Sequence, residues 1–486
     1  MTDVSEQAPK RVVIVGGGIA GLAAAFSLQE KAAEAGVPVA CTVIEAGAEW
    51  GGKIATHRVG EFLIEAGPDS FLSQKPWALE LCAKLGLSNQ VVNTNELGQK
   101  ASVYSRGRLR ELPEGLVAVV PTKLGPFLRS GLVSWPGIVR MGMDLVLPGR
   151  FNAADESLAS FFRRRLGREA FERVVEPLMA GIYAGDAEQM SLRATFPQFI
   201  EIERRHGSLI RGLLAGRKTA GASKGLSGRT PFVTLKDGMG ELVRALVARV
   251  RGAGATLLSG RRVSALRAPS IRSKVWTYDV VLEDGAVLTA DVVVLATPAY
   301  VAAEFLRPIS LTVSKLLDGI PYTSTATVAL AYGSNDLGPL VRGFGFIVPR
   351  VERRDLLAAT WSSLKWPHRA PPAHMLARCY IGGVGREDIL RADDATIVRR
   401  VRDDLRHIAG IAAEPVHVEV NRWERGMPQY VLGHRNRLDQ IQAAMSGFQG
   451  LYFTGAAYRG VGVPDCIRDG NEAADLVVKY LTGRRI

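Results

Sequence analysis

The sequence predicts an α/β fold: a discontinuous Rossmann-like domain joined to a mixed-sheet domain and a helical subdomain. Three observations predict it. RVVIVGGGIAGLAAAFSL (11–28) runs an apolar strand, 11–15, into a glycine cluster and then into an alanine-rich helix. GLYFTGAAYRGVGVPDCIRDGNEAADLVVKYL (450–481) gives a strand, a glycine turn and a helix announced by Pro464 and Asp465 at its start. Between them TATVALAY, FGFIVP and MLARCYIGG read as strands, alternating or wholly apolar.

The opening stretch carries chemistry. Gly16, Gly18 and Gly21 form G-x-G-x-x-G directly after the strand. The first glycine permits the tight turn, the second lets a pyrophosphate approach the backbone, and the third lets helix and strand pack closely. Gly17, Ile19 and Ala20 complete the turn and present the helix N-terminus, with its free N–H groups, to phosphate oxygens. A second strand, VPVACTVIE, ends in Glu45, placed to hydrogen-bond an adenosine ribose, with Ala46 beside it. Further along, Gly238 and Gly240 open a helix, a strand leads to Val263, and VVVLATP (292–298) closes the unit.

Composition bounds the rest. The 486 residues hold 61 Lys and Arg against 48 Asp and Glu, a formal charge of +13. Such a balance suits nucleic acid, an anionic membrane surface or an acidic ligand. No platform of interleaved aromatic and basic residues appears, which argues against nucleic acid. Cys41, Cys82, Cys379 and Cys466 have neither zinc-site spacing nor the density of a disulfide framework. No metal is expected, and a reducing compartment is. MTDVSEQAPK lacks the apolar core of a signal peptide, so the expected location is cytoplasmic. The most apolar stretch, GLVSWPGIVRMGMDLVLPG (131–149), holds Arg140, Asp144 and two prolines, so it does not span a bilayer. It suits a membrane surface, on the cytoplasmic face, or the wall of an apolar pocket. No internal repeat is visible.

The residues after Glu45 decide between nicotinamide and flavin. Gly51 and Gly52 form a second glycine pair, followed by Lys53. This pattern resembles the flavin-dependent amine-oxidase superfamily, and the resemblance implies FAD. It implies further contacts from Lys53, from Gly67, Pro68, Asp69 and Ser70, from the Val263 backbone at the adenine, and from Trp423. It also implies that Gly455 and the helix start at Val461, Gly462 and Val463 face the flavin ring. There the positive helix end would stabilise charge on the reduced ring. Two departures stand out: Glu49 replaces the usual arginine before the glycine pair, and Ala456 replaces a polar side chain. In this frame 8–97, 231–306 and 420–486 form the FAD-binding domain. The span 98–230 is a mostly helical, basic region facing substrate or membrane, in which RRRLGREAFERVVEPLMAGIYAG reads as one amphipathic helix. The span 307–419 is the substrate-binding sheet.

A more specific resemblance covers nearly the whole chain. GPDSF, EPLMAGIYAGDAEQMSLRATFP, FGFIVP, RWERGMPQYVLGH and GVGVPDCI together are similar to the porphyrinogen oxidases of haem synthesis. The family implies six-electron oxidation of a porphyrinogen to a porphyrin, with oxygen as acceptor. The macrocycle is large and apolar with acidic propionates, so it needs an apolar cleft rimmed by cations. Hydride transfer needs a meso carbon about 3–3.5 Å from the flavin. FAD carries the hard step, and no residue stands out as a general base. His57, His206, His368, His374, His407, His417 and His434 are expected to serve structure.

Two substrates remain open, protoporphyrinogen IX and coproporphyrinogen III. Plant and animal protoporphyrinogen oxidases place an arginine for a propionate where this chain has Ala101, beside Lys100. Lys75, in SFLSQKPW, lies where relatives acting on coproporphyrinogen carry lysines. Coproporphyrinogen has four propionates rather than two, so Lys75 and Lys100 are the expected substrate cations and coproporphyrinogen III is slightly favoured. A homodimer and peripheral membrane contact are further expectations. The rivals are an amine oxidase, a carotenoid-type desaturase and a porphyrin carrier on a vestigial dinucleotide fold. No flavin-linking cysteine occurs in ERGMPQYVLGH, and the glycine motifs are intact, which disfavours the first and the last.

Overall fold

The computed structural model describes residues 8–95, 100–113, 116–117, 120–121, 124–150, 154–220, 228–272, 275–334, 337–338 and 340–483. A five-stranded parallel sheet forms its first layer, in the order 256–258, 39–44, 10–15, 292–295, 451–453. The sheet thus gathers strands from three distant parts of the chain, and Val12 on its central strand pairs Cys41 on one side and Val292 on the other. Both faces of this sheet are covered, so its strands are apolar throughout rather than alternating. The helix Ile19–Glu34 is alanine-rich because the C-terminal helix Val463–Leu481 packs directly on it. At Gly470 an added Cβ would lie 2.5 Å from the Ala20 carbonyl, so the two backbones meet with no side chain between them.

The second layer is a seven-stranded mixed sheet, ordered 417–428, 322–333, 374–382, 356–361, 345–347, 101–105, 108–111. Only the 345–347 and 101–105 pair is parallel. The last two strands come from the span expected to be helical. Tyr104 and Val103 bury their side chains in two different cores, and that burial holds the hairpin in the sheet. Helices from 124 to 220 form a third unit around Phe161, Phe162, Phe171, Phe199 and Tyr430. The single amphipathic helix expected over 163–185 is not continuous. It stops at Gly167, whose φ of +86° ends the helix Leu158–Leu166. A short turn, a π-turn over Phe171–Val175 and the helix Glu176–Tyr183 follow. Arg165 is fully buried there, paired with Glu203 at 2.5 Å and Asp144 at 3.3 Å.

Asp144 anchors the 131–149 stretch from beneath. Its outer face leaves Trp135, Val139, Met143 and Val146 exposed. No helix among the described residues is long and apolar enough to cross a membrane.

Candidate cofactor and active site

Three chain turns meet at the carboxyl edge of the parallel sheet. In the first, glycine is forced at three positions by the protein itself. Gly16 has φ +112° and its N–H donates to the Ile44 carbonyl. A Cβ on Gly17 would strike the Trp50 ring at 2.4 Å, and one on Gly21 would lie 2.0 Å from the Gly16 carbonyl. Gly18 differs. Its φ of −72° and ψ of 176° suit any residue, and nothing stands within 4 Å of an added Cβ. Neither backbone nor packing requires glycine there, so the bare approach suits a ligand pyrophosphate. Gly18 bridges to Gly51, and a Cβ on Gly52 would come within 3.3 Å of it. Lys53 follows, open to solvent yet ringed by protein, and burial lowers its ammonium below the usual lysine range. A dinucleotide phosphate would relieve that desolvation.

Glu45 is held at both oxygens, by Gly17 N–H at 2.7 Å and Gly47 N–H at 2.7 Å. Its main chain joins Leu258 and Arg261, and Gly260 donates to Gly47. These bonds bring the turn that leads into Val263 alongside the acid, with Ala46 exposed next to it.

The second turn is 66–70, holding Gly67, Pro68, Asp69 and Ser70. A Cβ on Gly67 would lie 1.6 Å from the Lys53 carbonyl, so this turn rests directly on the second glycine pair's loop. Its carbonyls are clamped from the seven-stranded sheet. Ala66 O accepts from Trp423 Nε1 at 2.9 Å, Thr327 Oγ1 at 3.0 Å and Arg378 Nη2 at 3.3 Å. Arg378 also donates to Gly67 O. Lys365 lies 3.6 Å from Asp69.

The third turn is 455–463. Asp469 accepts from Gly455 N–H at 2.8 Å and Thr454 Oγ1 at 3.0 Å. The Tyr430 hydroxyl donates to Ala456 O at 2.6 Å and accepts from Gly460 N–H at 2.8 Å. At position 456, therefore, the backbone makes the polar contact. His434 stacks on Tyr430 with ring centres 4.2 Å apart and lies 3.2 Å from the Tyr458 carbonyl through Nε2. A carbonyl only accepts, so the neutral ring carries its proton on Nε2. Burial pushes this imidazole down to about 4. Val461, Gly462 and Val463 then open the C-terminal helix, and Asp465 in its first turn pairs with Lys75 at 2.5 and 2.7 Å.

The structure thus brings Lys75 to the helix start near the third turn. It does not bring Lys100 there: Lys100 is exposed and pairs with Glu111 at 3.1 Å. Sequence reasoning missed Tyr430, Asp469, Lys365 and Arg378. Tyr430 had a signal, since it lies in MPQYVLGH; Gln429 beside it donates to the Tyr183 carbonyl of GIYAG at 2.9 Å. The two most specific motifs are therefore packed against each other and against the 455–463 turn. Among the described residues no group of three or more His, Cys, Asp or Glu could hold a metal ion.

A parallel sheet edged by glycine turns and a ribose acid, closed by a second sheet, defines an FAD-dependent oxidoreductase. The chain belongs to the flavin containing amine oxidoreductase family, whose sequence profile matches residues 19–478. It is 38% identical to the coproporphyrinogen III oxidase of Bacillus subtilis (strain 168), across 97% of this chain and 98% of that protein. It is 30% identical to the chloroplastic protoporphyrinogen oxidase of Oryza sativa subsp. japonica, across 97% and 88%. A crystal structure from Exiguobacterium sp. 255-15, assigned as a protoporphyrinogen oxidase, superposes with a TM-score of 0.85 at 31% identity, across 97% and 99%.

Proposed function

We propose that this chain oxidises a porphyrinogen to a porphyrin in haem synthesis, with coproporphyrinogen III preferred to protoporphyrinogen IX. One observation carries the reading: the likeness to porphyrinogen oxidases runs over 97% of this chain, and it is stronger toward a coproporphyrinogen III oxidase, at 38% identity, than toward a protoporphyrinogen oxidase, at 30%. Six hydrogens leave the substrate, and three molecules of oxygen take them up as three of hydrogen peroxide. Bound FAD supplies two-electron acceptance. The glycine turns at 16–21 and 51–53 hold its phosphates, with Lys53 as the cation. Glu45 takes the ribose, and the turn before Val263 lies along the adenine. Gly67 to Ser70, Trp423 and Gly455 shape the ring end. The helix start at Val461 to Val463 offers its positive end to developing negative charge. Lys75, 39% exposed at its side chain, is the cation we assign to a propionate. The face formed by Trp135, Val139, Met143 and Val146, with Arg129 and Arg150 at its two ends in the chain, suits contact with an anionic membrane surface.

The test is porphyrin fluorescence from the FAD-loaded protein, given each porphyrinogen in parallel. Coproporphyrin should appear with the higher kcat/KM. A higher value for protoporphyrinogen would reverse the substrate assignment, and no fluorescence from either would overturn the reaction.

A further inference from the structure

Behind the 66–70 turn lie five charged side chains: Glu65, Asp69, Lys365, Arg369 and Arg378. Glu65, Arg369 and Arg378 are each no more than 5% exposed, and Lys365 and Asp69 are 13% and 16% exposed at their side chains. Three cations face two carboxylates, so the cluster holds a buried positive surplus. Pairing is incomplete. Arg369 Nη2 lies 3.1 Å from Glu65 and 2.7 Å from Thr234 Oγ1, but its Nε and Nη1 have no hydrogen-bond partner. Arg378 Nε and the Trp366 indole N–H have none either. Buried donors of a charged group that lack a partner are costly to keep. A small cavity of about 10 Å³, room for roughly one water, is lined by Asp69, Trp366, Arg369 and Arg378 among others.

The cluster connects to the cofactor side by direct contact. Arg378 bonds the carbonyls of Ala66 and Gly67, Gly67 rests on the Lys53 carbonyl, and that loop rests on Gly18. Burial works against ionisation of Asp69, yet Lys365, Arg378, the Ser70 hydroxyl and Arg369 together hold its carboxyl below the usual range. Lys365 is lowered, first by burial; Asp69 opposes this, and Arg378 and Arg369 add to it.

We propose that Lys365 and Arg378 are positioning residues that fix the 66–70 turn, and that the surplus charge they bury raises the reduction potential of the bound FAD. The proposal rests on the placement of Gly67 to Ser70 beside the flavin. Reduction adds negative charge to the ring, and fixed positive charge nearby in a poorly screened interior favours it.

The test is the midpoint potential of the bound flavin at pH 8, by equilibration with a reference dye. Wild type, Lys365→Met, Lys365→Arg, Asp69→Asn and the Lys365→Met/Asp69→Asn double variant are compared, with FAD stoichiometry and melting temperature recorded for each. Lys365→Met should lower the potential and Asp69→Asn should raise it. Lys365→Arg should keep it, and the double variant should return near wild type. The double variant also serves if Lys365→Met alone fails to fold. Bound FAD with an unmoved potential in all variants overturns the proposal alone. Equal downward shifts in Lys365→Met and Asp69→Asn overturn it too, because turn geometry rather than charge then sets the potential. A wild-type protein that binds no FAD overturns the flavin reading and this proposal with it.

Discussion

The two turns we assign to the flavin end of the site are held by different means. The 455–463 turn is clamped by hydrogen bonds between its backbone and the Tyr430 hydroxyl, the His434 ring and the Asp469 carboxylate, although His434 Nδ1 and the Tyr458 hydroxyl are left without a partner. The 66–70 turn is clamped by buried cations whose bonds are only partly filled. The first arrangement resembles a structural brace, built on a neutral phenol, a neutral imidazole and one carboxylate that accepts two hydrogen bonds. The second keeps a net charge in the interior, which is costly for stability and useful for redox chemistry. On the proposed reading the two loops divide the work: one fixes shape and the other sets potential.

Acid should separate them first. His434 titrates near 6.5 in an unfolded chain and at about 4 in the fold, chiefly through burial; Tyr458 opposes the shift, and Arg437 and Arg435 add to it. Between those values the unfolded chain binds a proton that the fold excludes. The stability due to neutral His434 is complete above pH 6.5 and is lost as pH falls through about 4, a total of roughly 3 kcal/mol. His434→Gln keeps a donor for Tyr458 and removes the titration. Denaturant unfolding at pH 7 and pH 4.5 should show wild type losing more stability than His434→Gln. Identical losses would mean that the ring is not the acid-labile part of this brace. The Lys365–Asp69 pair behind the 66–70 turn should outlast it, because the Asp69 carboxyl sits below its usual range.

Tyr430→Phe tests the brace at neutral pH. The variant keeps the ring stacked on His434 but strips Ala456 O of its donor and Gly460 N–H of its acceptor. Two backbone groups left unpaired in the interior should cost about 1–3 kcal/mol, read as a shift in denaturation midpoint. The loosened turn should also weaken FAD binding by roughly tenfold, read by titrating apoprotein with FAD. A variant with full stability and unchanged FAD affinity would remove Tyr430 from the site.

Why the glycine turns were visible in the sequence and the cations behind the 66–70 turn were not follows from what each residue must do. Gly16, by its positive φ, and Gly21, by its closeness to the Gly16 carbonyl, are fixed by local sterics, and local sterics repeat at fixed spacing. Glu45 is found by its place at a strand end. Lys365 and Arg378 reach the 66–70 turn across some 300 residues, one from a short helix and the other from a strand of the seven-stranded sheet. Alone, each reads as an ordinary polar residue; only the fold shows that water is excluded from around them. The strands 101–105 and 108–111 were hidden for a related reason: a sheet far away in sequence, rather than local pattern, decides their pairing. The expected helix over 163–185 had the right amphipathic period, but Gly167 takes a φ that the period does not record.

Lys75 offers the smallest effect and the finest distinction, because two roles compete for one ammonium. It pairs with Asp465 in the first turn of the C-terminal helix, and it is also the cation assigned to a substrate propionate. Asp465 has a second source of support in the helix N-terminus, so Lys75→Ala should leave the fold and the FAD content intact. If the ammonium meets a propionate, the variant should raise KM several-fold for coproporphyrinogen III, with four propionates, and less for protoporphyrinogen IX, with two. kcat should change little for either, since a contact made equally in bound substrate and transition state affects binding alone. If Lys75 instead serves Asp465 and the helix start, kcat should fall by the same factor for both substrates and KM should stay put. That outcome would move the propionate contact elsewhere on the cleft and leave Lys75 as part of the 455–463 brace.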